Sequence, residues 1–439
     1  MQTRRDHVQA YQFATGRLAS ALVTGDPGRG DSPTRRSALG TLFGAGVVVL
    51  LCAGFGVYGL LSPVAKSDWK KNGAVVLEKE TGNRYVYANG VLRPARNYAS
   101  ALLIAGKRNA PETVSAKSLA GVPHGFPVGI KGAPDTVPDA SGLLTGAWAR
   151  CLRTGPAGTA TGKAGDRPAG QTLVFGPSAG AMAALTADRE VLLSGPRGSR
   201  YLLMGGTKYP VPAESALIAL GLDDQQAVPA PADWLAAVPT GPALTAPTPP
   251  GTGTPGGKVA GQAAEVGQFF RTSTGGGAHY YVLRADGLAP VNATAYALLA
   301  ARPGAPAARQ VSQAHIAVAP VSADRGLKDR LPDVLGARPL ADGTACLKVG
   351  PDGSTQVVVG AASTRQVVIP PGGGVLAVPA GSTLQYLITE QGARYRLADG
   401  HAASALGLGD PERRLTLPAG VLALIPEGPL LSRAAAAKW

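Results

Sequence analysis

The sequence predicts an α+β protein with a single N-terminal transmembrane helix, followed by a larger domain that is internally duplicated. Three observations lead to this prediction. Residues 37–65 contain no charged side chain. Sequence blocks recur at an offset of 194–195 residues. Alternating residues bounded by Gly precede short Ala- and Leu-rich stretches, which is typical of hairpin strands followed by a helix.

Composition excludes several classes of protein. The chain has 439 residues and is 45% hydrophobic, which argues against disorder, whereas 60 Gly and 37 Pro predict many turns. Three cysteines are too few for a disulfide-dense scaffold or a protein with several zinc sites. The net charge of +14 favours an anionic partner or surface, without choosing between nucleic acid and membrane.

The predicted transmembrane helix occupies residues 37–65, with an apolar centre at 39–61. Those 23 residues span roughly 34 Å as a helix, enough to cross a bilayer. A buried core helix and a cleaved signal peptide are the alternatives. The run is too long for a signal peptide and 36 residues precede it, so we expect an uncleaved signal anchor.

Charge does not orient this helix. Four arginines lie in the 20 residues before it and five basic residues in the 20 after it, so the positive-inside rule gives no answer. Two of the three cysteines lie in residues 66–439 and none in residues 1–36, which favours an oxidising exterior for the larger part.

The N-terminal arm, residues 1–36, predicts an amphipathic helix that ends at Gly25-Asp26-Pro27. Such a helix would lie on a membrane surface, dock on a partner, or remain solvated before the span. We favour docking. The residues expected to contact the partner are Arg4, Arg5, Tyr11, Phe13 and Leu18.

Internal repetition is the most informative signal. The blocks that match at the common offset are Cys151–Gly158 with Cys346–Gly353, Val137–Asp139 with Leu331–Asp333, Gly198–Tyr201 with Gly392–Tyr395, and Gly82–Tyr85 with Gly277–Tyr280. Four coincidences predict a duplication with pseudo-twofold symmetry. Each half contains two smaller α+β units that start from a Gly-x-(Arg/His)-Tyr pattern, so we expect Tyr85, Tyr201, Tyr280 and Tyr395 to be equivalent.

Strand-like sequences between the units predict a central β-rich domain to which both halves contribute. These sequences are 172–175, 191–193, 355–359 and 366–369. The charge-free stretch from Pro239 to Gly257 is interpreted as a linker. The predicted boundaries are 1–36 arm, 37–65 transmembrane helix, 66–135 repeat 1, 136–195 first segment of the central domain, 196–245 repeat 2, 246–262 linker, 263–330 repeat 3, 331–388 second segment of the central domain and 389–439 repeat 4.

Several motifs resemble the EccB family, the single-span core component of actinobacterial type VII (ESX) secretion systems. They are Arg4–Tyr11 (RRDHVQAY), Gly25–Pro27, Ala53–Leu60 (AGFGVYGL), Gly82–Gly90, Asn97–Ala101 (NYASA), Ser118–Pro123 (SLAGVP) and Gly129–Asp135. The resemblance implies a cytoplasmic N-terminus, one helix in the cell membrane, and an extracytoplasmic domain of four small repeats around a central β-rich domain.

Catalytic motifs are weak. Gly176–Gly180 matches the G-x-S-x-G nucleophile elbow, but Pro177 is awkward for its tight turn and the duplicate position has no Ser. A nucleotide site deserves consideration because some relatives of EccB are described as ATPases. The nearest approach to a Walker A loop, Gly251–Val259, has Val259 where Ser or Thr is required.

Metal and nucleic-acid sites are not expected. Five scattered His without a Cys-x-x-Cys motif offer no ligand cluster. The 36 basic and 25 acidic residues of the larger part form no basic run, so a solvated basic face fits better than nucleic-acid binding. Arg84, Arg200 and Arg394 are expected to stack or hydrogen-bond within their own repeats rather than bind a ligand.

We therefore expect a structural subunit that anchors and assembles the secretion channel, with no cofactor and no catalytic or metal-binding residue. An extracytoplasmic nucleotide hydrolase that binds ATP is the alternative. The expected partners are the membrane, other core subunits including the cytoplasmic ATPase and the polytopic channel subunit, and further copies of the extracytoplasmic domain. We also predict a disulfide between Cys151 and Cys346, since they occupy equivalent places in the two halves; two buried free thiols are the alternative. Cys52 should remain unpaired.

Overall fold

A computed structural model describes residues 4–25, 34–61, 68–153 and 170–438. The chain separates into two compact units. One comprises Met1–Asp68 together with Val114–Ala120, and the other comprises Trp69–Thr113 together with Gly121–Trp439. They are described separately below.

The first unit is helical. Helix α1 (Arg4–Thr24) ends where Gly25 adopts a left-handed conformation, a backbone geometry that glycine favours. Helix α2 (Thr34–Leu61) contains Gly40–Val57, with a mean hydropathy of 2.1. Among the described residues this is the one helix that is long and apolar enough to cross a membrane.

A hairpin sheet opens the second unit, with strand β2 between β1 and β3. Asn89 and Gly90 both have positive φ at the β2–β3 turn, as a two-residue hairpin of the Asn-Gly type requires. Asn97 caps the following helix by accepting a hydrogen bond from the Ser100 amide. The elements are β1 (Ala74–Glu78), β2 (Arg84–Ala88), β3 (Val91–Pro94), α3 (Tyr98–Ala105) and β4 (Glu112–Val114), followed along the chain by α4 (Ala116–Leu119), which belongs to the first unit.

The next stretch contributes to two sheets. Strands β5, β6 and β7 enter a six-stranded sheet, while β8 to β11 form another of order β10-β9-β8-β11. The elements are β5 (Trp148–Leu152), β6 (Gln171–Phe175), α5 (Pro177–Gly180), β7 (Ala183–Ala184), β8 (Arg189–Ser194), β9 (Arg200–Met204), β10 (Thr207–Val211), α6 (Glu214–Leu220), β11 (Val228–Pro229) and α7 (Ala232–Ala236).

A separate hairpin, β12–β13, precedes the third small sheet, whose order is β16-β15-β14-β17. The elements are β12 (Pro255–Val259), β13 (Gln262–Glu265), β14 (Phe269–Thr274), β15 (Gly277–Arg284), β16 (Gly287–Val291), α8 (Ala293–Ala300), β17 (Arg309–Gln310), α9 (Gln313–Val318) and α10 (Gly326–Asp329).

The last stretch completes the six-stranded sheet, of order β21-β6-β5-β19-β20-β7, and adds the sheet β24-β23-β22-β25. The elements are β18 (Arg338–Pro339), β19 (Thr344–Val349), β20 (Thr355–Gly360), β21 (Val367–Val368), β22 (Gly374–Pro379), β23 (Tyr386–Thr389), β24 (Arg394–Arg396), α11 (Gly400–Ala405), β25 (Arg414–Leu417), α12 (Ala419–Ala423) and α13 (Arg433–Ala436). The chain is thus a mixed α+β protein with an N-terminal apolar helix and a sheet-rich domain.

The hydrophobic cores join segments that are far apart in sequence. One core packs Leu102 and Leu103 of α3 against Leu406 and Leu431 near the C-terminus. A second packs Leu220 at the end of α6 against helix α8 and the sheet that precedes it. Further clusters connect the six-stranded sheet with the sheets of β8–β11 and β22–β25. The six-stranded sheet therefore contacts both halves of the chain.

The predicted linker, 246–262, is wrong as a structureless segment. Its second half forms the β12–β13 hairpin, which turns at Ala260 and Gly261 with positive φ at both positions. Its first residue, Ala246, is also buried in a core. Pro, Thr and Gly supply turns here, while Val259 and Ala264 are buried and pack the hairpin against Phe270, Leu283 and Leu288.

Two predicted boundaries also shift. Residues 191–193 lie in β8, which belongs to the sheet of β9 and β10 rather than to the central sheet. Strands β22 and β23 likewise lie with β24, although residues 374–388 fall within the predicted central domain. Both errors have one cause. The Gly-x-(Arg/His)-Tyr pattern does not mark the start of each unit, because these sheets begin one or two strands earlier.

The predicted tyrosine set is wrong at two positions. Tyr85 pairs with Pro94 and Tyr201 with Pro210, each on the middle strand of a hairpin sheet. Tyr281 pairs with Pro290 in the same way, whereas Tyr280 lies one residue earlier. In the last sheet this place is held by Tyr386, which pairs with Arg396. Tyr395 lies on the following strand, β24.

Candidate functional site

The six-stranded sheet is centred on a disulfide. Cys151 on β5 lies directly opposite Cys346 on β19, and the structure joins their sulfurs in a buried bond. Gly360 on the adjoining strand leaves room for it, because a Cβ there would lie 2.6 Å from the Cys346 Sγ. The bond ties strands 195 residues apart in sequence. Cys52, in α2, is exposed and outside any disulfide.

A charged cluster links the six-stranded sheet to helix α7. Arg150 is 8% exposed, and its Nη2 donates to the Asp233 carboxylate over 2.6 Å. Its Nε donates to Gln171 Oε1 over 3.0 Å, while the Arg150 carbonyl accepts from the Trp234 indole. A single charge inside the apolar run 148–152 was the signal for a buried ion pair, and sequence analysis missed it.

Arg108 connects three segments through carbonyl groups. Its Nη1 donates to the carbonyls of Pro138 (2.7 Å) and Leu406 (2.9 Å), and its Nη2 to that of Val137. The Leu406 carbonyl lies just after helix α11, where main-chain acceptors are left without helical partners. Nothing in the local sequence around Arg108 indicates this role, because the acceptors lie up to 298 residues away.

Two buried ionisable groups lie in the sheet of β8–β11. Glu190 is 3% exposed, and its Oε1 accepts from Gln225 over 2.9 Å. Its other oxygen has no hydrogen-bond partner among the described residues, and burial raises the pKa of this carboxyl. Lys208 donates from Nζ to the Val238 carbonyl and to Thr240, and burial lowers the pKa of its ammonium. Both groups fill structural positions within one sheet.

The arm helix α1 exposes most of its surface within its own unit. None of its residues is buried, and Tyr11 and Leu18 are 73% and 64% exposed. Arg4 and Arg5 lie exposed in its first turn. Val8, Tyr11, Leu18 and Leu22 fall within one stripe about 80° wide, since each residue advances about 100° around a helix. The stripe is an apolar surface without cover inside this unit.

Phe13 does not share that stripe. Five residues after Val8, it lies about 140° around the helix, on the opposite side. There the Arg17 guanidinium lies 6.0 Å from its ring centroid. Phe13 therefore lies on the opposite side of the helix from Tyr11 and Leu18, and contact of this set with a partner stays a prediction.

The two enzymatic motifs occupy ordinary positions. Ser178 is exposed in the short helix α5, and no histidine among the described residues hydrogen-bonds to it. Lys258 lies within strand β12 of the hairpin rather than in a loop that enters a helix. The backbone around Lys258 therefore does not form the phosphate-binding turn of a Walker A motif.

The repeated arginines have intramolecular contacts. Arg84 lies 5.5 Å from the Tyr98 ring centroid and 3.6 Å from the Asp135 carboxylate. Arg394 lies 5.6 Å from the Tyr386 ring centroid and donates to Glu427 over 2.9 Å. In both cases the arginine stacks on a tyrosine of its own sheet region, although not on its sequence neighbour.

Comparison with known proteins finds relatives along the chain. "ESX-3 secretion system ATPase EccB3" of Mycobacterium tuberculosis (strain H37Rv) is 27% identical and aligns with 98% of this chain and 88% of its own. "ESX-1 secretion system ATPase EccB1" of the same strain is 27% identical over 99% of this chain and 94% of its own.

A solved structure also has a similar fold. A chain of the structure described as an intact ESX-5 inner membrane complex superposes with a TM-score of 0.50 at 24% identity, over 99% of this chain and 95% of that one. The family model described as "Type VII secretion system ESX-1, transport TM domain B" matches residues 1–438. This chain belongs to that family, the EccB family of type VII secretion.

Proposed function

We propose that this protein is a structural subunit of a type VII secretion membrane complex, which it anchors and helps to assemble while contributing its extracytoplasmic part. The observation that carries the proposal is the match of one family model to residues 1–438. The described charged clusters support it, because their ionisable groups pair with other parts of the same chain. Arg150 with Asp233 is the clearest case.

The proposed topology is single-pass, with residues 1–36 in the cytoplasm and the sheet-rich domain outside the cell membrane. Two features support it. The apolar stretch Gly40–Val57 separates the arm from the rest of the chain. The disulfide of Cys151 and Cys346 lies in the larger part, and disulfides persist in oxidising compartments.

For the outer domain we propose four repeats, arranged as two halves related by a pseudo-twofold axis. In three of the small sheets the strands lie in the same spatial order: the third strand in sequence is at one edge, followed by the second, the first and the fourth. The three hairpin strands β1–β3 lie in that order too. The tyrosines Tyr85, Tyr201, Tyr281 and Tyr386 mark the equivalent place. Repeat 2 then begins near residue 189 and repeat 4 near residue 374. Superposition of the two halves by a rotation near 180° about an axis at the disulfide would support this arrangement.

The arm is the proposed docking element for cytoplasmic partners. The stripe of Val8, Tyr11, Leu18 and Leu22 is exposed, and burying it would stabilise a complex. The arm has six Arg and three acidic residues, a net charge of only +3, which is weak for an electrostatic membrane anchor. Arg4 and Arg5 would bind carboxylates of a partner. The partners proposed for the arm are the cytoplasmic ATPase and the polytopic channel subunit, whereas the sheet-rich domain is proposed to associate with further copies of itself.

Gentle extraction of the intact protein from its native membrane, followed by mass measurement of the complex, tests the proposal. We expect masses that correspond to several subunits, with co-purifying cytoplasmic and polytopic components. Recovery of the monomer alone from cells that are actively secreting would contradict it.

ATP hydrolysis is the second candidate, and the observation that favours it is the word ATPase in the names of the relatives. The two proposals differ in one measurement. A structural subunit should show no saturable binding of ATP by the full-length protein in detergent. Saturable binding together with hydrolysis that tracks the protein through purification would replace the structural proposal.

A further inference from the structure

A groove of about 670 Å³ lies beside the third small sheet. It lies between the β12–β13 hairpin and the segment that runs from strand β17 into helix α9. Residues on both sides line it, including Val259 and Gln262 from the hairpin and Arg309 and His315 from the segment. The hairpin occupies sequence that composition alone assigns to a linker.

The floor of the groove is apolar and already ordered. Phe270 and Val259 line it, yet they are 0% and 4% exposed because they pack into a core with Leu283 and Leu288. Val311 packs against the same core. This core therefore holds the groove walls in place, and little conformational entropy would be lost in ordering them when a ligand binds.

The polar lining is rich in hydrogen-bond donors and carries no carboxylate. Arg309 donates from Nη1 to the carbonyl of Ala263 in the hairpin over 2.7 Å, and this hydrogen bond holds the guanidinium in place. Its remaining N–H groups have no hydrogen-bond partner, and no carboxylate pairs with it, in the part of the chain that the structure describes. His315 contacts Ser312 Oγ through Nδ1 over 3.0 Å, so Nε2 is left for another partner. This lining favours a negatively charged ligand.

The groove also borders an open strand edge. Strand β17 runs parallel to β14, and the Val311 amide donates to the Arg271 carbonyl over 2.9 Å. Successive residues of a strand direct their main-chain groups to opposite edges. The N–H and C=O of Gln310 therefore lie on the edge away from β14, on the side of the groove that Gln310 lines. An extended peptide could pair with them.

From these contacts we propose that the groove binds an extended acidic peptide segment of a partner protein. The segment pairs with the main chain of Gln310, places a carboxylate beside Arg309, and packs an apolar side chain against the half-buried Val311. This surface is separate from the arm and from the disulfide. Failure of the binding test would leave the proposed structural role untouched, because assembly through the arm is measured independently.

The test uses full-length protein in detergent micelles and fluorescence anisotropy. The probe is a labelled hexapeptide of alternating Glu and Val, and its counterpart has Gln in place of Glu. We expect saturable binding of the acidic peptide and about tenfold weaker binding of the neutral one, the factor that one charge-assisted hydrogen bond provides. Arg309→Gln should weaken binding of the acidic peptide by about tenfold. Arg271→Gln, an exposed arginine on β14 outside the groove lining, is the matched control and should change binding less than twofold.

A second variant tests strand pairing independently of Arg309, whose hydrogen bond also holds the hairpin. Gln310→Pro removes the outward N–H at an edge position, where proline is tolerated. It should weaken binding of the acidic peptide by about tenfold and leave the melting temperature of the protein unchanged. Three results would overturn the proposal: no saturable binding, equal binding of the neutral peptide, or binding insensitive to both variants. Inorganic polyphosphate should not displace the acidic peptide with equal affinity. If it does, and if its affinity is unchanged in Gln310→Pro, the groove binds anions in general and the proposal is overturned.

Discussion

Cys151 and Cys346 lie directly opposite one another on neighbouring antiparallel strands and are joined by a disulfide across a separation of 195 residues. The bond lies in the middle of the six-stranded sheet, flanked by β6 on one side and β20 on the other. The first half of the large domain is therefore fastened to the second where their strands meet.

Removing this bond should destabilise the outer domain. In the chain-entropy model, closing a loop of this length restricts the unfolded chain by up to about 5 kcal/mol. We expect the double variant Cys151→Ser with Cys346→Ser to lose a large part of that free energy of unfolding in a denaturant titration. Cys52→Ser is the control and should leave unfolding unchanged. Alkylation of both Cys151 and Cys346 without reductant in peptide mapping would show that the bond does not form.

The ion pair of Arg150 and Asp233 should contribute more than the surface pairs do. Asp233→Ala leaves the nearly buried Arg150 guanidinium without its carboxylate and should cost about 1–3 kcal/mol of unfolding free energy. Breaking the exposed pair of Arg189 and Asp188 by Asp188→Ala should have a much smaller effect on unfolding. If Asp233→Ala and Asp188→Ala lower the free energy of unfolding equally in chemical denaturation, burial of Arg150 does not make its ion pair more stabilising than a surface pair.

Glu190 should make stability fall as the pH rises. Burial raises the pKa of its carboxyl in the folded state, so the folded protein holds this proton more tightly than the unfolded chain does. The resulting stabilisation is complete below the unfolded pKa of about 4.3 and is lost as the pH rises through the folded pKa. Glu190→Gln should abolish that part of the slope and make the protein more stable at pH 7 than the parent, because the buried carboxylate no longer has to ionise. Exposed Glu112→Gln serves as the control, and an unaltered slope in Glu190→Gln would refute the assignment.

The arm should be needed for assembly but not for folding. Deleting residues 2–24 should leave the protein inserted and its outer domain folded, yet remove it from the secretion complex and stop secretion. A finer comparison uses the two faces of α1. Leu18→Asp should disrupt co-purification because it places a charge in the apolar stripe, whereas Phe13→Asp, on the opposite side, should not. Normal assembly by the truncated protein would mean that association runs through the membrane helix and the outer domain.

Local sequence determined much of this protein. The apolar run identified helix α2, and Gly25 marked the end of α1. Strands such as β6 and β20 follow from β-branched and apolar runs bounded by Gly or polar residues. The equivalent places of Cys151 and Cys346 predicted their pairing. These features depend on residues close together in the chain, or on one repeated offset, so they can be recognised without knowing what packs against them.

Only the tertiary structure decided which strand each repeated motif occupies. The Tyr of Gly-x-Arg-Tyr lies on the middle strand of the sheet at Tyr201 but on the third strand at Tyr395. A motif of four residues is compatible with either strand. Pairing with strands elsewhere in the chain selects the position and the register. The same reason applies to the partners of Arg108 and Arg150 and to the hairpin within the predicted linker. The groove beside Arg309 likewise requires segments about 50 residues apart to meet, and their meeting depends on the burial of Phe270 and Val259 in a shared core.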